Sequence, residues 1–179
     1  MSDEELMRFS RENRTLRMER EANGEILVMT PAGFGTSKMN QRIGRFLDEW
    51  AEADGRGVVT DSNGGYNLPN GSMRAPDAGW VSLKKAGSLT QHQEEGYAPF
   101  PPDFVIELRS PSDRLPDVQA KMEEWIVNGV EVAWLIDPER RVVEVYRAGE
   151  AVEVFEDPTS VQGTGPVRGF ELVMGRVWG

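Results

Sequence analysis

Apolar and polar positions alternate along the chain in short blocks, and the blocks predict strands and helices in mixed order. The most regular stretch is Asp103 to Asp137, an apolar run over Phe104–Leu108, an SPSD turn, a helical pattern from Pro116 to Asn128 and a second apolar run, VAWLID. Two apolar runs joined by a helix predict parallel strands linked by a right-handed crossover. Leu115, Val118, Met122, Trp125 and Ile126 share one face of that helix. Pro116 suits its first turn and Gly129 its C-terminal cap.

The flanking segments predict smaller elements. Residues 1–15 read as a short polar helix in which Arg8, Arg11, Arg14, Arg17 and Arg20 recur every three positions, interleaved with Glu12 and Glu19. That pattern is a solvated, ion-paired surface, or else a basic strip facing a partner. LRMEREANGEILVM is an edge hairpin turning at Asn23-Gly24. Met39, Ile43, Phe46, Leu47 and Trp50 mark the buried face of a helix ending near Gly55. Glu49 flanks that stripe and can approach a site from the side, although a solvated carboxylate is the simpler reading.

Val58–Thr60 is a strand, and YNLPNGSMRAPDAGWVS a hairpin turning at Asn70-Gly71 with its second arm over Ser72–Val81. Pro76 cannot donate to a ladder, so that arm is at an edge or bulged there. Residues 83–102 form a polar insertion with a short helix over SLTQHQEEG, and VVEVYR and AVEVF pair across Ala148-Gly149. Phe170, Leu172, Val173 and Trp178 strap the end of the chain to the core.

Composition narrows the classes. With 179 residues, 39% hydrophobic and 28% charged, the chain reads as one domain over residues 1–179. It has no run of about 18 apolar residues and opens on Asp3, Glu4 and Glu5, so a cytoplasmic protein without membrane contact is expected. No cysteine and a single histidine, His92, exclude thiol catalysis, disulfides and Cys/His zinc clusters. TPAGFGTSK lacks the phosphate-loop pattern, and no GxSxG elbow is present. Lys and Arg number 20 against 30 Asp and Glu, a net charge of −10 that opposes polyanions at long range. A nucleic-acid enzyme of this composition needs its cations on one face, or a divalent ion that reverses the sign locally.

Candidate chemistry centres on Glu107, a carboxylate inside an apolar strand, where an unpaired charge costs several kcal/mol. If the following helix packs back on its own strand, Lys121 stands about 7.5 Å along the helix and Glu107 roughly 10 Å from the strand's end. The two heights match. Asp77, at the distorted point of its hairpin, is the second acid. Alone, Asp77 reads as readily as a capping residue, and Lys121 as a surface lysine paired with Glu123 or Glu124. Together, Asp77, Glu107 and the main-chain carbonyl of Leu108 offer oxygen-only ligands suited to Mg²⁺ or Mn²⁺. Gln119 beside Lys121 can orient a water, and Arg109 and Arg114 are near enough in sequence to contact phosphate.

Pro76-Asp77, then Glu107, then a lysine displaced onto the next helix resembles the PD-(D/E)xK nuclease superfamily. PDAGWVS, PPDFVIELRSPSD, QAKMEEWIVNGVEVAWLIDP and GFEL resemble, more specifically, the Uma-type family of bacterial restriction-endonuclease-like proteins, long grouped as a domain of unknown function. The likeness extends from MTPAGF to Trp178. It implies a restriction-endonuclease-like α/β fold with a central mixed sheet flanked by helices and added hairpins. It also implies a Mg²⁺ site at Asp77 and Glu107, catalysis by Asp77, Glu107 and Lys121, DNA as partner and a homodimer. One departure stands out: Arg109 occupies the place where ExK puts its lysine, and arginine keeps its charge. Lys121 matches the migrated lysine of the family. Two other classes stay open, a catalytically silent nucleic-acid- or protein-binding module on the same fold and a hydrolase of another phosphate ester. Gathering of Arg74, Lys84, Lys85, Arg109, Arg114 and Lys121 around the acids favours the nuclease, and their dispersal the binding module.

Overall fold

The computed structural model describes residues 1–13 and 15–178. In chain order the elements are α1 (Asp3–Glu12), β1 (Arg17–Arg20), β2 (Ile26–Met29), α2 (Phe34–Asp54), β3 (Gly57–Thr60), β4 (Tyr66–Asn67), β5 (Met73–Arg74) and β6 (Ala78–Ser82). Then come α3 (Leu83–Ala86), α4 (Gln91–Glu94), β7 (Phe104–Leu108), α5 (Leu115–Val127), β8 (Val132–Asp137), β9 (Val142–Arg147), β10 (Glu153–Glu156), β11 (Ser160–Gln162), β12 (Glu171–Val173) and α6 (Gly175–Trp178).

A mixed six-stranded sheet in the order β10-β9-β8-β7-β6-β3 forms the centre. Only β7 and β8 run parallel, joined by α5 as the expected crossover. Every residue of β7 and β8 is buried, because helices or closing segments cover both faces of these strands. Successive side chains therefore enter different cores. Phe104, Ile106, Trp134 and Ile136 meet Ile43 and Leu47 of α2 together with Phe170 and Leu172. Val105, Ala133 and Leu135 meet Met122 and Trp125 of α5. Trp134 stacks on Phe170 with ring centroids 5.6 Å apart, and Phe104 meets Trp134 edge-on at 5.2 Å. Phe170 and Leu172 thus strap the chain end to the core, whereas Val173 remains exposed.

A smaller sheet, β2-β1-β5-β4, holds the N-terminal hairpin. Its placement corrects two expectations. The arm over Ser72–Val81 is two strands, because after Arg74 the chain leaves β5 at Ala75-Pro76-Asp77 and enters the central sheet as β6. Pro76, which has no N–H to give a ladder, stands at this crossing between sheets. The turn at Asn70-Gly71 is as expected, with Gly71 at φ +86°. The N-terminal hairpin lies at the edge of this sheet as expected, with β2 outermost and β1 paired with β5 as well as β2. Secondly, the arginine strip is no single face. Helix α1 ends at Glu12, Arg17 and Arg20 belong to β1, and Arg14 lies outside the described residues. Arg20 is buried and donates to Asp3 at 2.6 Å.

The short helix expected over SLTQHQEEG forms as the single turn α4, with His92 exposed on it, and α3 adds a further turn before it. Helix α2 ends where predicted, with Gly55 in the left-handed conformation at φ +72°. Among the described residues no helix is long and apolar enough to cross a membrane.

Candidate active site

The register of β6 and β7 pairs Ala78 with Ile106, so one step further Asp77 stands opposite Glu107, where the sheet opens into a cleft. Cross-strand neighbours in an antiparallel pair share a face, with Cβ atoms roughly 5 Å apart. Asp77 is held on both sides. Its Oδ2 accepts the Leu108 amide at 2.8 Å and its Oδ1 accepts Asn40 Nδ2 at 2.8 Å. Burial raises its proton affinity above that of an ordinary aspartate, against the Leu108 bond and the charges of Lys121 and Arg17.

Helix α5 lies over this end of the sheet and brings Lys121 down beside its apolar stripe. The ammonium sits 2.9 Å from Glu107 Oε1 and 3.0 Å from Glu19 Oε1. Trp125, one turn further along, donates its Nε1–H to Glu107 Oε1 at 2.9 Å. Burial pushes the Glu107 carboxyl up to about 7; the negative charges of Asp77 and Glu19 add to this, and Lys121 opposes it. Burial alone would make Lys121 a weaker ammonium, but the two carboxylates outweigh it and hold its proton more tightly than usual. A lysine so held is a fixed positive charge, not a base.

Glu19 is a residue that the sequence pattern did not single out. It is buried in β1, where Oε1 accepts the Ala75 amide at 3.0 Å as well as Lys121, and Oε2 faces Arg74 at 3.3 Å. Burial raises its proton affinity, but Lys121, the Ala75 amide and Arg74 together bring the carboxyl below the usual range. Read as one of the acids interleaved with the N-terminal arginines, it looked solvated. The available cue was Lys121 itself, an ammonium at the rim of an apolar stripe whose three N–H donors need more acceptors than one strand acid supplies.

Other expectations part here. Asp77, Glu107, Leu108, Arg109, Arg114 and Lys121 line one cleft of about 1420 Å³. Gln119 does not, because its turn of α5 faces β9 and its Nε2 donates to Glu144 at 3.0 Å. Glu49 points to solvent from α2 and pairs with Arg45 at 2.7 Å. Arg109 lies in the cleft but is committed to Asp137 at 2.9 Å and Glu139 at 3.3 Å. Arg74 is buried between Glu19, Glu21 and Glu124, which takes Glu124 away from Lys121. Lys85 is bound to Asp103 outside the cleft. Nine carboxylates line the cleft against five cations, so it repels a polyanion until a cation enters. Arg114 is 79% exposed in the cleft and only 3.7 Å from Asp117, so it is loosely held.

The donor set fits Mg²⁺. Among the described residues no three His, Cys, Asp or Glu side chains form a ready-made metal cage. Mg²⁺, however, needs only one or two carboxylates and keeps several waters. Lys121 and Trp125 both approach Oε1 of Glu107, and Oε2 accepts no hydrogen bond among the described residues.

The six-stranded mixed sheet with helices on both faces defines a mixed α/β fold. The chain belongs to the Uma2 family, described as "Putative restriction endonuclease", which matches residues 3–175. The crystal structure of a putative nuclease belonging to DUF820 from Anabaena variabilis ATCC 29413 superposes with a TM-score of 0.76 and 17% identity, covering 90% of this chain and 89% of that one. A DrdV–DNA complex gives a TM-score of 0.43 at 15% identity, covering 69% of this chain and 12% of that one. No curated protein matches the sequence.

Proposed function

We propose that the chain is a Mg²⁺-dependent endonuclease, with Mn²⁺ as a substitute, that hydrolyses DNA phosphodiester bonds in the cleft between α5 and the Asp77 end of β6. Asp77, Glu107 and the Leu108 carbonyl hold the ion. Bound there, it supplies a water of lowered pKa and polarises a phosphate oxygen. Lys121, fixed as an ammonium by Glu107 and Glu19, orients the water and stabilises charge that grows on the phosphate. Glu19 positions Lys121. Trp125 holds Glu107 and closes the buried side of the site to solvent. Arg114 contacts the phosphate backbone, and Arg109, tied to Asp137, shapes the cleft wall. The reading places all of this in a single domain and takes the working form as a homodimer, which offers one cleft to each strand of a duplex.

The observation that carries the proposal is Lys121's ammonium within 3.0 Å of two buried acids, with Asp77 in register beside one of them. The nine-to-five excess of carboxylates supports a second reading, a catalytically silent binding module. Cleavage of supercoiled plasmid and single-stranded DNA in Mg²⁺ or Mn²⁺ separates the two. The nuclease reading predicts metal-dependent cleavage that falls by about 10²-fold or more in Asp77→Asn, Glu107→Gln and Lys121→Ala. Cleavage surviving all three substitutions, or none by the wild type with either metal, contradicts it.

A further inference from the structure

Asn40, in the second turn of α2, approaches the site from the face of the sheet opposite α5. Its Nδ2 donates to Asp77 Oδ1 at 2.8 Å, and this bond fixes the amide, because the reversed orientation would set its oxygen against a carboxylate oxygen. The amide oxygen, Oδ1, is buried and has no hydrogen-bond partner among the described residues. A buried acceptor left in this way carries an uncompensated desolvation cost. Asn40 itself lines the cleft with Asp77, Glu107 and Leu108.

We infer that Asn40 Oδ1 is a further protein oxygen for the divalent cation, completing the set begun by Asp77 and Glu107; the inference rests on the cation site proposed above. A neutral amide oxygen is a hard donor of the kind Mg²⁺ and Mn²⁺ accept. It is joined through one carbon to the nitrogen bonded to Asp77, so an ion on that carboxylate lies near it. The same contact gives Asn40 two roles, orienting Asp77 through nitrogen and binding the ion through oxygen.

Calorimetric titration of Mn²⁺ and Mg²⁺ into the metal-free protein, with thermal melts at each metal concentration, tests this without any cleavage assay. Asn40→Ala should weaken cation binding about tenfold or more. Asn40→Asp should do the opposite. Its carboxylate repels Asp77 in the metal-free protein and lowers the melting temperature there, but adds a charged oxygen to the ion and so enlarges both the affinity and the metal-induced rise in melting temperature. Equal weakening in Asn40→Ala and Asn40→Asp would assign Asn40 to orienting Asp77 alone and overturn the inference. Unchanged affinity in both would overturn it too, with an ordered water satisfying the oxygen. Asp77→Asn and Glu107→Gln serve as controls. If they weaken binding while Asn40 variants do not, only this inference fails, and if they leave it unchanged the cation site itself is wrong.

Discussion

Glu107 should make the metal-free protein less stable as pH rises, and Glu107→Gln should remove that dependence. In the folded chain burial lifts this carboxyl from 4.5 to about 7. Its side chain is 8% exposed, so solvent screens little of the effect. Between the two values the native state keeps a proton that the unfolded state has released, and stability falls as the pH rises. Below 4.5 both states are protonated and the group contributes nothing; above about 7 the full cost applies. At ~1.4 kcal/mol for each tenfold change in proton affinity, the stability difference between wild type and Glu107→Gln should shift by roughly 2.5 kcal/mol between about pH 5 and pH 8. Urea unfolding of both proteins in EDTA measures it. With a slope of about 2 kcal/mol per molar, the two midpoints should move relative to one another by about 1 M. Glu19, whose shift has the opposite sign, titrates in both proteins and largely cancels in the difference. Midpoints that move in parallel across the pH range would mean that Glu107 is not the buried, proton-retaining group described here.

Lys121→Ala leaves Glu19 and Glu107 without their shared cation; because Lys121 is partly exposed, the loss should be about 2 kcal/mol at pH 8 and smaller at pH 5, where Glu107 is protonated, by the same urea assay. Trp125→Phe removes the buried donor to Glu107 and should cost about 1–3 kcal/mol, with a further rise in the pH at which Glu107 titrates, measurable by carboxyl chemical shifts. Phe170→Ala empties the contact among Trp50, Phe104 and Trp134 and should cost about 3–5 kcal/mol in thermal or urea unfolding without altering cation affinity.

Much of the site was legible because two local patterns constrain it. An acid in the all-apolar strand Phe104–Leu108 needs a partner, and the crossover helix, whose apolar stripe sets its rotation, can bring only the residues beside that stripe. Spacing therefore brought Lys121 within reach of Glu107 but left a surface pairing with Glu123 or Glu124 equally open, and the 2.9 Å contact with Glu107 decides between them. Glu19 was not legible, since its importance comes from β1 pairing on both sides, and that depends on β5 approaching over a separation of more than fifty residues. Asn40 escaped for a similar reason. Its helix is read by its apolar face, while the contact with Asp77 arises where the chain crosses from one sheet to the other. Glu49 and Gln119 were placed at stripe borders by helical angle alone. The angle leaves open what faces each border, and here solvent and Glu144 do.

The account depends on Asp77 and Glu107 sharing one divalent cation beside Lys121. Anomalous diffraction from crystals of the wild-type protein grown with Mn²⁺ addresses this most directly. It should show a single strong peak in direct bonding contact with carboxylate oxygens of both residues, absent in Asp77→Asn. A peak bound elsewhere, or no peak in this cleft at saturating Mn²⁺, would contradict it.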